Sequence, residues 1–318
     1  MKITKITTML ALLFLVGSIS IVSCKKKTEE TNTTTTTDDE QSTANDNNVS
    51  ENTANDIESI GAQASENASL TTYRSSGDMQ VVGIDVAPCA TVTAAGGGLK
   101  TFTVDFGTVG CTGNDGRVRT GKLIYDYSGS TNNAIFYRNP GFKLSVSSAN
   151  YVVDGYSVTI VNKVVSNTSP TTIPSGVNPG TNLTWSIAAN ISIVKPNGGG
   201  TVSWTCNRTK ELINTADSSC YRGQNRAIVW SRAMVKLNGT ASGTNAKGET
   251  YSATATNLVR DFQCTPDASK PHRHPFVSGT INYVPANRYP RLINYGSGTC
   301  DFNAVVTING KDYNVTLP

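Results

Sequence analysis

The residues most able to do chemistry are few. Pro271-His272-Arg273-His274-Pro275 holds both histidines of the chain. On an extended backbone alternate side chains share a face, so His272 and His274 have the spacing of a metal-ligand pair. No glutamate or further histidine stands near them in sequence. The competing reading is a basic, proline-bounded surface loop between Cys264 and a strand starting at Phe276. Paired carboxylates for glycoside hydrolysis are also scarce. Beyond residue 70 the only glutamates are Glu211 and Glu249, and Asp115, Asp154 and Asp312 sit in turn contexts. There is no GxSxG elbow, phosphate-binding loop or dinucleotide fingerprint. The sequence therefore names no catalytic residue, no cofactor and no metal site beyond the weak His272/His274 pair.

Binding chemistry has more support. Trp185, Trp204 and Trp230 fall on three successive expected strands, with Arg226 and Arg232 on the Trp230 face. Such a surface suits an anionic glycan or another envelope protein. Packing offers the other account. The register set by Asn197-Gly198 puts Trp204 opposite Ile191, in the core. The apolar series Ala227, Val229, Ala233, Val235 and Leu237 leaves Trp230 exposed if that series is buried. Arg117 and Arg119, with Lys122, follow the turn Gly113–Gly116 and form a second basic patch. Their plainer role is protection of a strand end.

Six cysteines remain once Cys24 is set aside: Cys89, Cys111, Cys206, Cys220, Cys264 and Cys300. In an exported domain they imply disulfides. Order along the chain favours Cys89–Cys111, Cys206–Cys220 and Cys264–Cys300. The spacings are wide and hold no CxxC, which argues against zinc.

The elements that carry these residues read as all-β. Phe102, Val104 and Phe106 alternate with polar neighbours, as do Phe142, Leu144 and Val146, and the long series Leu183 to Ile193. The expected architecture is a meander of hairpins forming antiparallel sheets, as a sandwich or a strongly curved sheet. Asn309-Gly310 suits a two-residue type I′ turn that pairs Val306 with Tyr313 and Ala304 with Val315. Asn197-Gly198 pairs Ile191 with Trp204 and Ala189 with Cys206. Asp154-Gly155 and Asn238-Gly239 are further turn signals. Three prolines in residues 166–182 leave open a division of the 73–318 domain into two lobes there.

Before that domain the composition changes. Residues 24–72 read as a Thr/Asn-rich, disordered acidic tether, because so few large apolar residues cannot offset chain entropy. Residues 25–66 carry three lysines against ten carboxylates, net −7, while residues 71–318 carry net +9. Residues 1–23 form an address: Lys2 and Lys5, an apolar run from Met9 to Val22, then Ile21-Val22-Ser23-Cys24. That tetrapeptide resembles the bacterial lipobox. The resemblance implies cleavage before Cys24, acylation of its sulfur and attachment to a lipid bilayer through the acyl chains. Lys25 is not the aspartate of the best-known inner-membrane retention rule, so the outer membrane is the expected location. Nucleic acid is not an expected partner in that compartment.

The segments DFGTVGCTGNDGRVRTGKLIYDYSG (105–129) and YGSGTCDFNAVVTINGKDYNVTL (295–317) resemble stretches of uncharacterised lipoproteins of Bacteroidota. The resemblance implies lineage and location and carries no activity. Three functional classes stand at this point. They are a non-catalytic binding or structural module, a glycan-active envelope hydrolase, and a lipid-carrying curved sheet.

Overall fold

The computed structural model describes residues 41–66, 79–84, 87–94, 100–131, 134, 136–170, 176–222 and 226–317. The leader, Cys24 and residues 25–40 of the expected tether lie outside them.

The strands follow the alternation. β1 (Met79–Ile84), β2 (Ala87–Ala94), β3 (Thr101–Asp105), the two-residue β4 (Cys111–Thr112) and β5 (Val118–Asp126) come first. β6 (Lys143–Val153), β7 (Tyr156–Asn167), β8 (Leu183–Val194) and β9 (Thr201–Leu212) form the long middle. A short ribbon, β10 (Tyr221–Arg222) and β11 (Ala227–Ile228), interrupts before β12 (Met234–Thr244) and β13 (Thr250–Asp261). β14 (Phe276–Pro285), β15 (Arg291–Ser297), β16 (Asn303–Ile308) and β17 (Lys311–Thr316) complete the chain.

Apart from β4, which pairs with β5, and the separate β10–β11 ribbon, each strand pairs antiparallel with the next to make one sheet. It is the meander and the strongly curved sheet of the two expected forms. Its edges are β1 and β17. The excursion at 166–182 lies between two paired strands. β7 and β8 pair along their length on either side of that excursion, so the sheet passes through it unbroken.

The turns act as their residue types require. Asn309 and Gly310 have φ of 48° and 76°, and Val306 faces Tyr313 as expected. Asn197 and Gly198 keep Ile191 opposite Trp204 and Ala189 opposite Cys206. Asn238-Gly239, by contrast, is no turn. It lies inside β12 at a register shift, where the Asn238 side chain accepts the Asn257 N–H at 2.7 Å. Such bulges bend a sheet. Gly279 marks another: at φ 95° its missing Cβ would stand 2.2 Å from the Asn257 carbonyl oxygen. Gly279→Ala should therefore cost about 1–3 kcal/mol for the backbone conformation alone, read as a lower urea midpoint at unchanged slope.

The largest departure from expectation is α1, a helix over Ser42–Glu66. It falls inside the segment read as a disordered tether. Its Asn, Thr, Ser and Asp content gives little intrinsic helicity, and an isolated helix of this length would be marginal. Tertiary contact makes it. From residue 43 to 65 every side chain except Asn45 is buried or half-buried. At about 1.5 Å per residue the helix runs about 38 Å, close to the about 40 Å of a twelve-residue strand. The Tyr125 hydroxyl donates to the Ile57 carbonyl at 2.7 Å, and its ring fills the space left by Gly61. Bonds from β5, β9, β13 and β15 all reach this one helix. The sheet is curled around it, and the concave apolar face, including Trp185 and Trp204, is closed by Ile57, Ile60 and the helix alanines.

Candidate functional site

The helix enters the sheet as a polar rod, and many of its buried polar side chains meet partners on the surrounding strands and turns. Asp46 takes Lys195 Nζ at 2.6 Å and the Ala246 N–H at 2.9 Å. Asn47 accepts from Trp204 Nε1, and Asn48 from the Tyr295 hydroxyl. Glu51 receives Arg208 through two bonds, 2.6 Å from Nη2 and 3.2 Å from Nε. Asp56 receives Arg119, which also holds Asp115. Glu58 accepts from Lys210 at 3.0 Å and from the Tyr137 hydroxyl at 2.6 Å, with Lys163 at 3.6 Å.

The electrostatics follow from this pairing. Burial alone would raise the Asp56 and Glu58 carboxyls. The charges of Arg119 and Arg117, and of Lys210 and Lys163, outweigh it and hold both below the usual carboxylate range. Groups so depressed stabilise the fold above their unfolded pKa of about 4, and that contribution is lost as pH falls through the folded values. The fold should thus lose a little stability as pH falls through about 6.5, where burial holds His274 below the ordinary imidazole value, and lose it steeply below about pH 4, as followed by near-ultraviolet circular dichroism.

The expected binding residues are redistributed. Arg119 is no surface residue but a fully buried ion-pair partner, because its inward position on β5 faces the helix. Arg117 is nearby, 3.9 Å from both Asp56 and Asp154. Lys122 alone of that patch is exposed, paired with Asp105. Trp230 does not stand on an exposed strand face. The expected strand breaks there into a 3-10 turn, Trp230–Arg232. Its ring packs between Tyr137 and Phe262 at 5.7 and 6.0 Å, with Lys210 Nζ 5.0 Å from its centre. It covers the Lys210–Glu58 pair. Arg226 and Arg232 are exposed, while Trp230 is half-buried.

Two expected cystines form, Cys89–Cys111 and Cys264–Cys300. The Cys206–Cys220 pairing is corrected: both are free and buried. Cys206 points inward in mid-β9, between Ala189 and Ala241. The remainder of the strand after Cys206 carries the chain about 20 Å away before it turns, and a disulfide needs Cα atoms within about 7 Å. Burial pushes the two thiols up to about 12 and about 11, which makes them unreactive.

His272 and His274 do come together, with ring centres 6.3 Å apart. His274 Nδ1 is 2.8 Å from the Cys264 carbonyl oxygen, a backbone contact and not a ligand set. Among the described residues no group of three His, Cys, Asp or Glu side chains converges. The histidines instead line a polar cleft at one end of the curl, with Asn52 and Asp56 of α1 below and Arg117, Arg260 and Arg273 around it. Its water-accessible space is about 50 Å³. Arg260 and Asn52 were not singled out by the sequence. Their one available signal was the opposition of charge between the acidic segment and the basic domain.

Comparison of the chain with protein-family models, with curated proteins and with solved structures finds no match.

Proposed function

We propose that the chain is a lipid-anchored envelope protein, attached through Cys24, whose folded part is a non-catalytic binding module presented from the outer membrane. The observation that carries the non-catalytic reading is the pairing of the interior carboxylates. Asp46, Glu51, Asp56 and Glu58 each hold a cation of the sheet. A carboxylate committed in this way is a poor general acid, and hydrolysis of a glycoside needs one. The helix takes up much of the volume an acyl chain would need, which weighs against a lipid-carrying role, and leaves an apolar cleft of about 550 Å³ beside its first turns, lined by Val49, Tyr156, Ile293, Val306, Val315 and Leu317.

Two cystines support export to an oxidising compartment. The anchor is tested by Cys24→Ala in cells. The wild type should fractionate with membranes and incorporate labelled palmitate. The variant should do neither, and unchanged fractionation would remove the lipid anchor from this reading. Partners are expected among anionic envelope glycans, or proteins presenting acidic groups, because the folded part carries the excess of positive charge.

A further inference from the structure

The cleft at the end of the curl is short of negative charge. Arg117, Arg260 and Arg273 line it with two carboxylates, Asp56 and Asp115, both of which already bond the buried Arg119 beside it. Arg117 lies 3.9 Å from Asp56 and 3.9 Å from Asp154, beyond hydrogen-bond distance of either. Arg260 has one side-chain bond, from Nη2 to the Asn52 side-chain Oδ1 at 3.1 Å, and its guanidinium carbon rests 4.6 Å from the Phe276 ring centre. Its Nε is buried without an acceptor. Arg273 repeats the arrangement, lying 5.4 Å from the Phe302 ring centre with its Nε also buried and unpartnered. Burial and the charge of Arg117 push Arg260 down to about 10, outweighing the pull of Asp56 and Glu51.

Buried charged donors are ordinarily satisfied. Arg260 and Arg273, each with a buried, unpartnered Nε and a guanidinium over an aromatic ring, line one cleft and make a fork-shaped receptor for planar or tetrahedral oxygen acceptors. The cleft is also held in shape. Cys264–Cys300 ties the loop carrying Arg273 to the turn that carries Phe302. We propose that this cleft binds the oxyanion group of an acidic ligand, a carboxylate or a phosphate, with Arg260 and Arg273 as hydrogen-bond donors and Arg117 as a supporting charge. The assignment deepens the binding-module reading and rests on it. The lipid anchor is independent, so failure here leaves the Cys24 result untouched.

The test is calorimetric titration of the folded chain at pH 7 and constant ionic strength, with inorganic phosphate in one arm and glucuronate in the other. Saturable binding of either to one site is expected, and the tighter arm names the preferred oxyanion. Arg273→Gln should weaken it at least tenfold, Arg273→Lys less, and Arg222→Gln, on the exposed short ribbon, not at all. Melting curves separate binding from structure. Without anion, Arg273→Gln should melt no lower than wild type, because like charges are relieved, and in saturating phosphate the order should reverse. Absence of saturable binding in wild type, equal affinity in Arg273→Gln, or an Arg273→Gln destabilisation independent of anion would each overturn the proposal. Should Arg273→Gln not fold, Arg260→Lys and Arg273→Lys decide it: wild-type affinity in both overturns it, and a loss in either supports it.

Discussion

A chain lacking residues 42–66 should fail to reach the native state. Removing the helix strips partners from Lys163, Lys195, Arg208 and Lys210, and takes from Arg119 one of its two carboxylates. A buried cation without its counter-ion costs about 3–5 kcal/mol when one partner is removed, and a domain has about 5–15 kcal/mol in total. Several such losses together exceed what the sheet can spare. The concave apolar face would also be opened to water. The truncated chain should show strand-rich far-ultraviolet but no near-ultraviolet circular dichroism, bind hydrophobic dye and aggregate. A synthetic peptide of residues 38–66 added during refolding should restore the near-ultraviolet signal. A truncated chain that melts cooperatively at the wild-type temperature would show that the helix is an ornament on a self-sufficient sheet.

The second large effect belongs to a single pair. Glu51→Leu should destabilise by about 3–5 kcal/mol, because Arg208 keeps its charge in a closed interior where both side chains are almost wholly buried. Arg208→Leu should cost a similar amount for the converse reason. The double variant should recover much of the loss, since two apolar groups need no partner. The coupling from the double-mutant cycle should be of the order of 2 kcal/mol or more. Chemical denaturation of the four proteins measures it. Additive single effects would mean that water reaches the pair and that the helix is held by packing alone.

The strand pattern was legible because one face of each strand is apolar and the other polar, and Asn309-Gly310 admits only one register. That register also held a warning about Cys206. Once Ala189 faces it and Ile191 faces Trp204, the sulfur points into the core, and the loop carrying Cys220 leaves from the far end of the strand. Pairing by order along the chain overrode that geometry. The helix was illegible for a physical reason. An amphipathic stripe appears when a helix has a wet side and a dry side. α1 lacks a wet side, being surrounded, and polar residues are mixed among its buried apolar ones because the apolar wall around it also carries cations. Composition alone then resembles a segment that cannot fold. The readable trace was the contrast between net −7 and net +9, a complementarity that in a single chain invites an internal pairing as readily as an external partner. Arg260 and Arg273 were hidden for another reason, since their juxtaposition depends on how the irregular β13–β14 connection carries Arg273 back towards the Arg260–Phe276 pair.

One bond carries a consequence for how the molecule is made. The Tyr295 hydroxyl reaches Asn48 across 247 residues of sequence. During synthesis the rod that fills the sheet emerges first and must wait for almost the whole remaining chain before its last partner exists. Pairings of such separation are closed slowly, and through that interval the nascent chain presents a lengthening, half-wrapped cradle with exposed edges. Maturation of this protein should accordingly be post-synthetic, slow and dependent on whatever holdase chaperones meet it on the way.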